Sequence, residues 1–246
     1  MVKTAVFVEG QTELIFVREF LLRYFDYQDI RLECFSLITE GNMSHAPYDF
    51  PFQDAKFYFQ IINVGNDRAV LSNLLKREKH IWESGFQRII GLRDMYSEEY
   101  RKLANSRDIV ASISAQFITG HDEQIATTAV QPEKIFFRFA IMETEAWILA
   151  LPQAFESIDV RLTTDFIQEN LNLDLVELDP ETTFFHPATC VEQILGLVGR
   201  AYRKKEGDIE VIVSNLSKSD YQRLLGSDKC KSFKHFCEII PGLAEL

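Results

Sequence analysis

The chain has 246 residues, 46% hydrophobic and 12% aromatic, enough for a sizeable core; seven prolines and eleven glycines exclude a low-complexity or linker-dominated sequence. The formal charge of -11 argues against coating nucleic acid by simple electrostatics, although carboxylates gathered around divalent cations would add to the same count. The sequence contains no run of about 18 apolar residues, and its start lacks the long apolar stretch and cleavage site of a secretory signal, so a cytoplasmic protein with no membrane span is expected.

Lys3 to Val8 is short, apolar and β-branched, which predicts a first strand ending before Gly10. Thr12 is placed to cap a helix whose apolar face holds Leu14, Phe16, Val17, Phe20, Leu21 and Tyr24. A second strand is predicted over 31–38, and the polar, proline-bearing residues 39–54 read as a loop. Residues 55–64 predict a third strand, with Phe57, Tyr58 and Phe59 as sheet core and not a base-stacking surface. Asn66 or Asp67 is placed to cap a helix over 68–84. A fourth strand, 86–92, ends at Arg93-Asp94. Ser97 opens a polar helical region, and helix continues over 106–120, stopping at Gly120. A fifth strand, 134–141, leads into Glu143-Thr144-Glu145 and a helix that stops near Pro152. Trp82 and Trp147 read as packing residues.

Strands alternating with helices imply an α/β fold: a mainly parallel sheet flanked by helices over residues 1–155. From about Glu156 the pattern changes. Residues 191–208, 210–227 and 231–243 each read as helical, giving a C-terminal helical lobe, 156–246, packed on the core. The four cysteines, Cys34, Cys190, Cys230 and Cys237, form no C-x-x-C pair and are expected to be reduced and mostly buried.

In parallel α/β sheets, sites gather beyond the carboxyl ends of the strands. Glu9, Asp94, Glu143 and Glu145 all fall there. A phosphate-binding first turn would need successive glycines, and here Glu9 precedes the lone Gly10. A carboxylate in that place repels phosphate unless a cation stands between them, and Mg²⁺, or Mn²⁺, is the natural intermediary. Gly10 is expected to provide a sharp turn there. Glu13 reads first as a helix-start charge or cap.

These residues resemble a known module. "VFVEGQTELIFV" is similar to the first motif of Toprim domains, the metal-binding units of topoisomerases, primases and OLD-type nucleases, and "IIGLRDMYS" sits where their aspartate motif lies. "VEGQTE", "LRDMY", "METEAWILALP" and "HPATCVEQIL…AYRKK" more closely resemble, in that order, a Toprim-like family of unknown function with E-G-x-T-E, D-x-Y, H-E-x-E-A and Y-x-K elements. The resemblance implies a Toprim-like core, Mg²⁺-dependent cleavage of nucleic acid, and a link to phage defence. It matches Glu9 to a general acid/base or metal ligand, Asp94 to a metal-binding aspartate, and Glu143 with Glu145 to paired glutamates. Tyr96 stands where Toprim domains carry a second aspartate, and Met142 where the closer family often has histidine.

Arg200, Arg203, Lys204 and Lys205 form the densest basic cluster, either a solvated helix face or, through Arg203 and Lys204, a phosphate contact that stabilises a phosphoryl-transfer transition state. His186 matches a family motif; His45, His80 and His121 have no evident partners. Three functions are consistent with these residues: a Mg²⁺-dependent nuclease on DNA or RNA, with a neighbouring ATPase as partner; a non-catalytic Toprim-like module that binds nucleotide, nucleic acid or protein; or a phosphotransferase or phosphatase on a small substrate.

Overall fold

A computed structural model describes residues 1–38, 42–104, 107–204 and 208–243. Six strands, β1 (Val2–Val8), β2 (Ile30–Leu37), β3 (Met43–His45), β4 (Phe57–Asn63), β5 (Arg88–Asp94) and β6 (Ile135–Ala140), form one sheet in the order β3-β2-β4-β1-β5-β6. All neighbours are parallel except β2 and β3. β3 lies inside the stretch expected to be a loop. It pairs with β2 through Phe35 opposite His45, and an isolated bridge joins Leu32 to Phe50.

Apart from the exposed β3, the strands are largely buried on both faces, and their side chains alternate between two apolar layers. Val6 and Val8 of β1, Phe59 and Ile61 of β4, and Ile90 and Leu92 of β5 face α1 (Gln11–Tyr24). Ala5, Phe7, Ile62 and Ile89 face the other way, towards α2 (Val70–Glu83), α3 (Glu98–Ala104) and α4 (Ala111–Thr128). Gly91 belongs to this second layer. A Cβ there would lie 2.4 Å from the Phe137 ring on β6, its register partner, so the glycine makes room for the ring. α4 runs through Gly120 to Thr128, past the predicted stop.

The chain after β6 is helical: α5 (Glu145–Leu149), α6 (Gln153–Glu156), α7 (Thr164–Leu171), α8 (Pro180–Thr183), α9 (Pro187–Gly196), α10 (Asp208–Val213), α11 (Lys218–Gly226) and α12 (Lys231–Glu238). Their apolar residues join the α1 face of the sheet in one continuous cluster. Its centre is aromatic: Phe20 lies 5.0 Å from Tyr221 and 5.2 Å from Phe233, and Trp147 lies 5.2 Å from Phe233, centroid to centroid. Phe59 and Trp147 are fully buried, as packing residues should be.

Two helical predictions are broken by the structure. Residues 191–208 do not form one helix: α9 ends at Gly196, Gly199 takes φ 75°, and residues 201–203 are irregular. The 210–227 stretch is divided by Ser217, which closes a capping box with Asp220 and starts α11 afresh. At the start of the chain, Gly10, not Thr12, occupies the N-cap of α1. Asn66 does cap, accepting from the Arg68 N–H (3.0 Å), but for a short 3₁₀ turn, Asp67–Ala69, ahead of α2. No described helix is long and apolar enough to cross a membrane.

Candidate metal centre

β1, β5 and β6 are adjacent in the sheet, so the residues that follow their carboxyl ends are brought together. Asp94 closes β5. Glu9 follows β1, and its Oε2 accepts the backbone N–H of Asp94 (3.2 Å). Beyond β6 the chain turns at Met142, which takes φ 62° with its side chain fully buried. Its carbonyl accepts from Tyr96 N–H (2.7 Å), and Ala140 O accepts from Met95 N–H (2.9 Å), so this turn is tied along the continuation of β5. Thr144 completes the tie: its backbone N–H and its hydroxyl both donate to Asp94 Oδ1, each at 2.9 Å.

Asp94, Glu143 and Glu145 each offer a carboxylate oxygen, and these atoms lie within 4.8 Å of one another. All three residues are buried. They could hold a metal ion, and among the described residues they are the one such group. Lys204 Nζ pairs with Glu145 Oε1 (2.8 Å) and Glu143 Oε1 (3.2 Å). The Tyr202 hydroxyl donates to Glu145 Oε1 (2.8 Å). Glu143 Oε2 accepts the Ala188 N–H (2.9 Å) in the first turn of α9, whose partial positive charge suits it. Glu145 Oε2 is buried without a hydrogen-bond partner.

Carboxyl groups are crowded here, and the crowding disfavours their ionisation. Glu13 sits in the same neighbourhood, and its carboxyl is raised to about 8 by burial, then by Glu9 and Glu145. Burial, followed by Glu13, holds Asp94 well above the usual carboxylate range, with Glu145 and Glu143 adding to the effect against Lys204. Burial also raises Glu145, against the pull of Lys204. For Lys204 burial opposes the charge, but Glu145, Asp94 and Glu143 together outweigh it and keep the ammonium charged. Tyr202 is raised by burial and then by Glu145, so it remains a hydrogen-bond donor.

The predicted residues therefore divide. Asp94, Glu143, Glu145 and Lys204 meet, and Glu9, less buried than the three carboxyls, accepts the Asp94 backbone N–H beside them. Arg203 does not join them: its side chain is 59% exposed and pairs with Asp208 (3.3 Å). Residues 201–203 are irregular and not helical, and the side chains part: Tyr202 and Lys204 reach Glu145, while Arg203 turns to Asp208. Lys205 lies outside the described residues. Gly10 makes no left-handed turn; at φ -150° and ψ -168° it is extended, and a Cβ there would instead meet Glu13 Oε2 at 3.1 Å. Glu13, read first as a cap, is buried in the acidic group. His186 packs on the Tyr96 ring, 4.1 Å between centroids, and His121 bonds the Phe117 carbonyl through Nδ1 (2.9 Å). Thr144 was not anticipated from the sequence, and Tyr202 entered only as the tyrosine of the Y-x-K element. For Tyr202 the signal was present in its two-residue spacing from Lys204; Thr144, flanked by two glutamates, carried no signal of its own.

The profile of a family described as Domain of unknown function (DUF4276) matches residues 8–240, nearly the whole chain, and the protein belongs to that family. No curated protein and no solved structure matches it.

Proposed function

We propose that this DUF4276 protein is a divalent-cation-dependent phosphodiesterase acting on DNA or RNA, with Mg²⁺ or Mn²⁺ held by Asp94, Glu143 and Glu145. The observation that carries this reading is the surplus of buried carboxyl groups: Glu13, Asp94, Glu143 and Glu145 converge, and Lys204 pairs with two of them while burial and crowding hold Glu13 and Asp94 towards their protonated forms. A buried excess of this kind is costly unless it serves a cation, and hard oxygen donors suit Mg²⁺ or Mn²⁺. When bound, the cation would neutralise phosphate charge and lower the pKa of a water. The chain's own groups have separate tasks. Thr144 fixes the Asp94 carboxylate through its double donation, leaving Oδ2 for a ligand. Tyr202 orients Glu145. Glu9, anchored on the Asp94 backbone and only partly buried, stands closest to solvent as a proton acceptor. Lys204, 35% exposed, is the cation available to a developing phosphoryl charge. The resemblance to Toprim motifs supports nucleic acid as the substrate, and a role in phage defence with a partner ATPase belongs to the same reading.

A second reading rests on Lys204 itself. Its ammonium already pairs with two carboxylates of the triad, as a built-in substitute for a metal would, and this favours a non-catalytic module. Calorimetric titration with Mn²⁺, beside cleavage of labelled single- and double-stranded DNA and RNA with Mg²⁺, Mn²⁺ or chelator, separates the two. Cleavage abolished by chelator and by Asp94→Asn and Glu145→Gln is expected. No heat of Mn²⁺ binding and intact polymers throughout would sink the enzyme and leave the internally neutralised module.

A further inference from the structure

The α2 face of the sheet carries a site of contrary charge. A cavity of about 720 Å³ opens there, lined by the start of β1, by β2 and β4 as far as Ile62, and by the second half of α2. Lys3, Arg31, Lys76 and Arg77 line it against the one carboxylate of Glu33, although acidic residues outnumber basic ones 37 to 26 in the whole chain. The sheet register builds this charge. Lys3, Tyr58 and Arg31 are partners across three neighbouring strands, so two cations flank a ring. The Arg31 guanidinium lies 5.6 Å from the Tyr58 ring centre; the Tyr58 hydroxyl donates to Glu33 Oε2 (2.7 Å), and Arg31 pairs with the other carboxylate oxygen, Oε1. Glu33 is thereby used in holding Arg31 and Tyr58 in place. From α2, Lys76 projects with no ion-pair partner among the described residues, beside Arg77. The remaining lining includes Ile62, Ile81 and the half-buried Phe86, an apolar wall 5.8 Å from Tyr58, ring to ring.

We infer that this cavity is a binding site for a nucleoside phosphate, the phosphate held between Arg31, Lys76 and Arg77 and the base against Phe86 and Ile81. Cavities of ~300–1,000 Å³ with apolar walls and a few convergent polar groups are what small ligands occupy. The charge selects an anion, and Arg31 offers the planar fork that pairs with phosphate oxygens. The apolar wall selects a planar ring over inorganic phosphate alone. The site shares no lining residue with the acidic centre, would serve regulation or product retention, and does not depend on that centre.

Isothermal titration of the full chain with AMP, ATP and inorganic triphosphate at two salt concentrations tests this. Saturable binding of ATP or AMP below ~1 mM is expected, weakened at least tenfold by Lys76→Glu with Arg77→Glu and by raised salt. Phe86→Ala should weaken nucleotide binding severalfold and leave triphosphate unchanged. Asp94→Asn should leave every affinity unaltered, so failure of the cleavage reading would not touch this one. Lys76, Arg77 and Phe86 are exposed or half-buried, and an unchanged melting temperature confirms that their variants are folded. Triphosphate binding as tightly as ATP with no response to Phe86→Ala would overturn the base-binding wall. Single-stranded oligonucleotide binding through these residues while AMP and ATP do not bind would overturn the small-ligand assignment. So would the absence of any binding.

Discussion

Replacing Glu13 with glutamine should stabilise the metal-free protein, an unusual result for a buried residue. Glu13 titrates near 8 in the fold, against 4.5 when unperturbed, chiefly because of burial and then Glu9. A carboxyl group raised in this way helps the fold fully below its unfolded pKa. That contribution is lost as pH rises through the window from 4.5 to about 8, and above it the folded state carries the whole charge. At about 1.4 kcal/mol per unit, the loss reaches on the order of 3 kcal/mol at pH 7. The neighbouring carboxyl groups share protons with Glu13, so removing its charge recovers about 2–3 kcal/mol at pH 8. Urea unfolding in chelator between pH 5 and pH 8 measures this. The wild-type protein should lose stability along that range, and Glu13→Gln should lose less. Added Mn²⁺ should narrow the gap, because a bound cation favours ionised carboxylates. Parallel curves, or a variant less stable than wild type at pH 8, would refute the account of a charge-burdened cluster.

Lys204→Met should cost the metal-free protein about 3 kcal/mol, since it strands the carboxylates of Glu143 and Glu145, and Mn²⁺ should restore much of the melting temperature; a scan with and without the ion checks both. Gly91→Ala drives a methyl group into the Phe137 ring and should destabilise by about 1–3 kcal/mol, with Phe137→Leu recovering part of the loss in a double-mutant cycle by denaturant melts. Burial pushes the thiols of Cys34 and Cys190 up to about 12, so neither should be alkylated by iodoacetamide at pH 8 until urea unfolds the chain; mass spectrometry counts the adducts, and rapid labelling of the native protein would contradict their burial.

Helix-to-strand alternation was legible because apolar periodicity is local. The β1 run Ala5 to Val8 and the helix face Leu14 to Leu21 lie in the core as their spacing requires. The breaks were harder. Residues 191–208 have helical composition, yet Gly199 and the pull of Lys204 and Tyr202 towards Glu145 end the helix, and both carboxylate and ammonium lie far apart in sequence. β3 is three exposed residues held by their pairing with β2, so no apolar pattern announces it.

Residue type and strand-end position alone determined that Glu9, Asp94, Glu143 and Glu145 would stand beyond the carboxyl ends of strands in a parallel sheet. Tertiary structure decided the rest. Strand order made β1, β5 and β6 neighbours, the Met142 turn and Thr144 locked Glu143 and Glu145 against Asp94, and Lys204 entered from the far end of the chain. The physical reason is range: side-chain periodicity is a property of a few consecutive residues, whereas Coulomb attraction and desolvation act between whichever groups the fold brings within a few ångströms.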